Sequence, residues 1–199
     1  MLAIPREAIT GLVLAGGRGQ RMQGQDKGLL LHRGRPLVQH ALDRLAPQVG
    51  PMLISANRHL PAYRSFGTPV CSDTMPGFPG PLAGWLSALQ ACRTPYLASV
   101  PCDVPGLPLD LVARLARALH QADADIAMAR TPEREQPVFA LLRHELAPSL
   151  EQALARGERR VLGWALEQRM AVVAFADAAA FRNLNTPADL DPSPADTNG

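Results

Sequence analysis

The sequence predicts an α/β protein with three layers, α/β/α, around a mostly parallel central sheet, and three observations carry that reading. Apolar runs of strand length alternate with helical patterns along almost the whole chain. One helical pattern has a clear apolar face, on which Leu109, Val112, Leu115 and Leu119 fall three or four residues apart and are assigned to the core, with Asp110 and Arg117 off it. No repeat and no linker divides the chain, so residues 1–190 read as one domain and the small, polar, proline-rich stretch 191–199 as a frayed tail.

The elements follow in order. ITGLVLA (9–15) is a buried strand, and the glycine-rich stretch LAGGRGQRMQGQDKGLL begins where it ends. A helix over 36–48 (PLVQHALDRLAPQ) leads to strands MLISA (52–56) and PVCSD (69–73). PLAGWLSALQACR (81–93) opens with proline at a first helical position, where its missing N–H costs nothing. The strand YLASV (96–100), a helix over 107–121 and the strands DIAMA (125–129) and PVFALL (137–142) come next. Helices over 144–157 and 159–169 precede the strand AVVAF (171–175), and Thr186-Pro187 starts a terminal helix. In such sheets ligands bind beyond the carboxyl ends of the strands, so LAGGRGQRM, SANR, CSD and PCDVP are the segments in which to seek chemistry, joined by NLNTP after the last strand.

Composition sets limits. A formal net charge of +2, from 20 Lys+Arg against 18 Asp+Glu, advertises neither nucleic acid nor an anionic membrane as partner. Cys71, Cys92 and Cys102 form no CxxC pair and read as structural thiols in a reducing compartment. The start of the chain lacks a basic segment followed by a long apolar run, and no apolar stretch reaches the roughly 18 residues of a membrane span, so a cytoplasmic protein is expected. His32, His40, His59, His120 and His144 do not have metal-site spacing, and no serine or cysteine sits in a nucleophile elbow.

The glycine-rich loop fails two familiar patterns. Gly17 and Gly19 lack the third glycine of a dinucleotide fingerprint, and Lys27 is followed by Gly28 rather than the Ser or Thr of a Walker loop. What remains is an anion cradle: Gly16 and Gly17 expose backbone N–H groups, and Arg18, Arg21 and Lys27 follow. A turn with solvated basic residues would have the same composition. Asp103, held between Pro101 and Pro105 after YLASV, has the position of a metal ligand, since magnesium takes one or two protein carboxylates and fills its shell with phosphate and water. A turn aspartate bonding its own backbone is the alternative.

LAGGRGQRMQGQDKGLL resembles the signature of the molybdenum cofactor guanylyltransferases, and SANRH (55–59), GPLAG (80–84), PCDVP (101–105), GERRV (157–161) and NLNTPADL (183–190) resemble that family's later motifs in order. The resemblance implies a Rossmann-like nucleotidyltransferase fold, Mg2+ as cofactor, and transfer of GMP from GTP to the terminal phosphate of molybdenum-molybdopterin with release of pyrophosphate. It further implies that Leu14, Ala15, Gly16 and Gly17 bind GTP through the main chain, the loop from Gly17 to Arg21 wrapping the triphosphate. Arg21, Lys27 and Asp103 take the catalytic roles, with Asp103 also the metal ligand and Asp73 a nucleotide contact. Ser55 stands where the family often has asparagine, so either Ser55 or Asn57 meets the base; Gln23 stands where the family usually has glycine. Arg160, Asn183 and Asn185 are implied for molybdopterin, with Arg159 beside them. Beyond the substrates, the resemblance points to cofactor-insertion proteins and molybdoenzymes as partners. Two other functions fit parts of the pattern: a related transferase using CTP or a sugar phosphate, and a carrier that binds GTP or the cofactor without chemistry.

Overall fold

A central strand buried on both faces organises the protein. In the computed structural model, which describes residues 4–15, 26–73 and 80–190, β1 (Ile9–Leu14) lies between two parallel neighbours, β4 (Met52–Ser55) and β6 (Tyr96–Pro101). Between them in sequence come a small hairpin of β2 (Leu31–His32) and β3 (Arg35–Pro36) and the helix α1 (Leu37–Leu45). After β4 follow α2 (Leu60–Arg64), β5 (Val70–Cys71) and α3 (Pro81–Ala91). After β6 come α4 (Leu111–Gln121), β7 (Ile126–Arg130), β8 (Glu135–Arg143), α5 (Ala147–Ala155), α6 (Val161–Ala165), β9 (Met170–Ala174) and the short α7 (Pro187–Leu190). The seven-stranded sheet has the order β5-β4-β1-β6-β8-β7-β9.

Successive side chains of β1 point to opposite faces, and each face has its own apolar layer. Ile9 and Val13 pack with Val38, Ala41 and Leu45 of α1 and Leu111, Val112 and Leu115 of α4. Leu12 packs with Trp85 and Leu89 of α3, Leu150 of α5 and Trp164 of α6. The expected three-layer α/β/α fold is therefore present, with every expected strand in the sheet.

Three details differ from the sequence reading. β8 is antiparallel to both of its neighbours, because residues 131–134 are far too few for the crossover that a parallel pair requires. Leu109 is 63% exposed rather than core: α4 begins only at Leu111, and Leu109 precedes its apolar face. The hairpin of β2 and β3 and the short α2 were not anticipated; the hairpin turns through Arg33 and Gly34, both at positive φ, the turn that suits a two-residue loop.

The stretch around Phe181 is pinned by aromatic packing. Phe181, 1% exposed, meets Phe139 and Phe175 edge to face at centroid distances of 4.8 and 5.1 Å. The Arg114 guanidinium covers Phe175 at 3.9 Å. Phe181 thereby ties residues 179–184 to the sheet. Phe181→Ala is expected to lower unfolding free energy by about 3–5 kcal/mol, measured by urea denaturation, since a cavity would open where three aromatic rings meet.

Candidate functional site

The register of three strands brings the site together. Leu14 of β1 pairs with Ser55 of β4 on one side and Pro101 of β6 on the other. The ladder continues past the strands, with the Ala15 N–H donating to the Ser55 carbonyl at 2.8 Å and the Cys102 N–H to the Leu14 carbonyl at 3.0 Å. Residues 15, 56 and 102 therefore leave the same edge of the sheet at the same level, with Asp103 one residue further on.

At that edge four predicted residues converge. Asp103 is buried, at 6% exposure, and its carboxylate accepts from Asn183 Nδ2 at 3.1 and 3.2 Å. Its backbone carbonyl accepts from the Leu184 N–H at 2.9 Å, docking the chain that carries Asn183. The Lys27 Nζ donates to Asp103 Oδ2 and to Asn185 Oδ1, each at 2.5 Å. Lys27 sits on a single turn of 3₁₀ helix, Lys27–Leu29, which is capped by the Asp26 side chain accepting from the Gly28 N–H. A carboxylate, an ammonium and two carboxamides thus share one point, although the sequence reading assigned them to two different ligands.

A second group lies on the other side of β1. Asn57 donates from Nδ2 to Asp73 Oδ2 and accepts the Asp73 N–H on Oδ1, both at 2.8 Å. That leaves Asp73 Oδ1 buried with no hydrogen-bond partner among the described residues. Burial raises the Asp73 pKa above the ordinary carboxylate range, and the Asn57 hydrogen bond opposes the rise. Ser55 is buried at the end of β4, where a Cβ added to Gly84 would lie 2.9 Å from its Oγ and 2.6 Å from Leu14 Cδ2. Gly84 thus lets α3 close onto the ends of β1 and β4, with Leu14 and Ala15 alongside. Asn57 is committed to Asp73, which leaves Ser55 as the one of the pair not held in that bond. Nearby Cys71 has its thiol pushed up to about 11, chiefly by burial.

Arg160 stands apart from both groups. Its side chain is 85% exposed, with Nε 3.7 Å from Glu158 Oε1, and the same Glu158 oxygen accepts the Arg159 and Arg160 N–H groups. Gly16, Gly17 and Arg21 lie outside the described residues, as do Arg18, Gln23 and the tail at 191–199. The described residues contain no group of three or more His, Cys, Asp or Glu able to hold a metal, so a cation would rest on Asp103 with ligands from elsewhere. A single, nearly buried carboxylate is a hard oxygen donor of the kind that suits magnesium with phosphate.

Several structural partners escaped the sequence reading. Tyr63 donates from its hydroxyl to Asp26 Oδ1 at 2.5 Å. Asp189 accepts from Thr186 Oγ1 and from the Asn185 and Thr186 N–H groups, while the Asp189 N–H returns to Thr186 Oγ1. The Thr186-Pro-Ala-Asp189 spacing is a capping box, legible in the sequence, and it fixes the residue next to Asn185. The Thr186 hydroxyl, ahead of the neighbouring N–H groups and Arg182, holds the Asp189 pKa down to about 2. His32 is buried, its Nδ1 paired with the Leu190 carbonyl.

A mostly parallel sheet whose first strand ends beside a lysine, a buried carboxylate and a second polar group has its polar clusters where open α/β sheets bind ligands, beyond the carboxyl ends of the strands. The model of the MobA-like NTP transferase domain matches residues 11–171, and the chain belongs to that family. Within it the relatives are molybdenum cofactor guanylyltransferases: that of Bordetella petrii is 53% identical, covering 96% of this chain and 100% of its own, and that of Ralstonia nicotianae is 52% identical, covering 94% and 96%. Among solved structures, molybdopterin-guanine dinucleotide biosynthesis protein A from Archaeoglobus fulgidus superposes with a TM-score of 0.75 at 22% identity, covering 91% of this chain and 94% of that one. This chain is a nucleotidyltransferase of the molybdenum cofactor guanylyltransferase group. No helix of the described residues is long and apolar enough to cross a membrane.

Asp73 carries a pH prediction. An acid whose folded pKa lies above its unfolded value opposes folding while ionised; the opposition is complete above the folded pKa and vanishes as pH falls below the unfolded one. Asp73→Asn removes that charge yet keeps an oxygen for Asn57. It is expected to melt about 2 °C higher than the parent at pH 7.5, the gap closing as pH is lowered through the carboxylate range, as followed by calorimetry.

Proposed function

We propose that this protein transfers GMP from GTP to the terminal phosphate of molybdenum-molybdopterin, with Lys27 and Asp103 at the reacting phosphates. The observation that carries the reading is the convergence of Lys27, Asp103, Asn183 and Asn185 at the carboxyl edge of the sheet. A phosphate monoester is already a competent nucleophile at neutral pH, so the protein's task is to neutralise charge and align the two phosphates rather than to remove a proton.

In the ligand-free protein the Lys27 ammonium is balanced by Asp103. A triphosphate competes for that ammonium, and Lys27 then stabilises the charge that builds on the α-phosphate and on the departing pyrophosphate. Asp103, released from the lysine, is the residue to hold Mg2+, which when bound supplies a Lewis acid on the phosphate oxygens. Arg21 joins Lys27 in this role, and the main chain of Leu14, Ala15, Gly16 and Gly17 lines the nucleotide. Ser55 and the Asp73 oxygen that has no partner among the described residues face the nucleoside, with Asn57 orienting Asp73. Asn183 and Asn185, held on the Asp103 and Lys27 side, meet the molybdopterin where the two substrates join, and the exposed Arg160 receives its phosphate. The product then passes to molybdoenzymes, directly or through insertion proteins.

Pyrophosphate release with GTP and molybdenum-molybdopterin, compared with CTP in place of GTP and with the pterin omitted, tests the reading directly; turnover with CTP or release without the pterin would overturn it. Lys27→Ala is expected to lower kcat/KM by about 10²–10³-fold while its melting temperature stays close to the parent's. Asp103→Asn should abolish the dependence of turnover on magnesium concentration together with most of the rate.

A further inference from the structure

We propose that the buried hydrogen bond between Tyr63 and Asp26 is a positioning pair that sets the Lys27 side chain against Asp103 and the reacting phosphates. The inference rests on the reading of Lys27 as the phosphate-binding cation. It concerns two residues whose side-chain hydrogen bonds run to each other and to the Gly28 N–H rather than to Asp103, Asn183 or Asn185.

One oxygen makes the arrangement. Asp26 Oδ1 accepts from the Tyr63 hydroxyl at 2.5 Å and from the Gly28 N–H at 3.3 Å, so it bonds to the backbone on the far side of Lys27 while its own backbone stands on the near side. The Asp26 carbonyl also accepts the Leu29 N–H at 3.0 Å. Lys27 is therefore bracketed, and any rotation of its backbone breaks one of these bonds. Asp26 is 8% exposed and Tyr63 fully buried, so neither partner can exchange its bond for water without opening the protein.

The phenol also anchors the bracket to the sheet. Tyr63 belongs to the buried cluster that includes Ala15 after β1 and Cys102 before Asp103. It lies so close over the turn that a Cβ added to Gly28 would fall 2.5 Å from its hydroxyl oxygen. Burial, the largest influence, pushes the phenol pKa upward, so the hydroxyl keeps its proton and remains the donor. A phenylalanine would fill the same space. The hydroxyl is what the turn requires, and what the turn carries is Lys27.

The test is a double-mutant cycle of Tyr63→Phe with Lys27→Ala, in which the pyrophosphate-release rate, KM for GTP and melting temperature are measured for all four proteins. Lys27 accessibility is followed in parallel by reductive methylation and mass spectrometry of the ligand-free parent and Tyr63→Phe. A positioning role predicts that Tyr63→Phe lowers kcat about tenfold, leaves KM for GTP nearly unchanged, raises the methylation rate of Lys27 several-fold, and causes no further loss in the Lys27→Ala background. Equal loss of kcat in both backgrounds, or an unchanged kcat with unchanged methylation, would overturn it. If Lys27→Ala loses rate and Tyr63→Phe does not, only the pair's role falls. If Lys27→Ala keeps the parent rate, the lysine assignment itself falls and the pair's role with it.

Discussion

The hydrogen-bond ladders on the two sides of β1 are what the rest of the molecule depends on. Because β1 pairs in parallel with both β4 and β6, a single register decides the level at which three chain segments leave the sheet. Leu14 stands opposite both Ser55 and Pro101, so Ala15, Ala56 and Cys102 emerge together and Asp103 follows one residue on. A slip of β6 by one residue would move Asp103 by about 3.3 Å and turn its neighbours to the other face. The apolar layers make such a slip costly, since Leu97 and Ala98 would exchange the two cores to which they belong.

Electrostatic balance follows from that geometry. A chain with a formal net charge of +2 has no broad field to gather a triphosphate, so attraction must be local. Lys27 and Asp103 hold each other in place, with side-chain exposures of 25% and 9%. The carboxamides of Asn183 and Asn185 add a donor to the acid and an acceptor to the base. A site so arranged is already polarised in the direction that phosphate and metal would exploit. On the other side of β1, Asp73 is oriented by Asn57 and left with one acceptor unmet among the described residues, an arrangement that costs stability and is the usual mark of a group kept for binding.

Much of this was legible in the sequence. The order of strands and helices follows from apolar periodicity, and Lys27, Asp103, Asn183 and Asn185 stood out by motif and by their place after strands. What could not be read was convergence: nothing local in NLNTP says that Asn183 turns to Asp103 and Asn185 to Lys27, because those contacts depend on the path of the whole chain. Asp26 and Tyr63 were missed for the same reason, each looking like an ordinary cap or core residue until the other is seen against it. The direction of β8 was available, since residues 131–134 are too few for a crossover, but that signal lies in a loop length and not in the strand. Leu109 shows the converse error, a periodic leucine lying just before the helix whose face it seemed to extend.

The Lys27 bond to Asn185 joins residues 158 positions apart in the chain. During synthesis the lysine leaves the ribosome before Asp103, and the carboxamides that complete their surroundings emerge after both. A nascent chain stopped before Asn183 can close the core around β1 but leaves the acid and the base paired only with each other. A chain that stops short of Asn183 therefore carries Lys27 and Asp103 in an unfinished group of four.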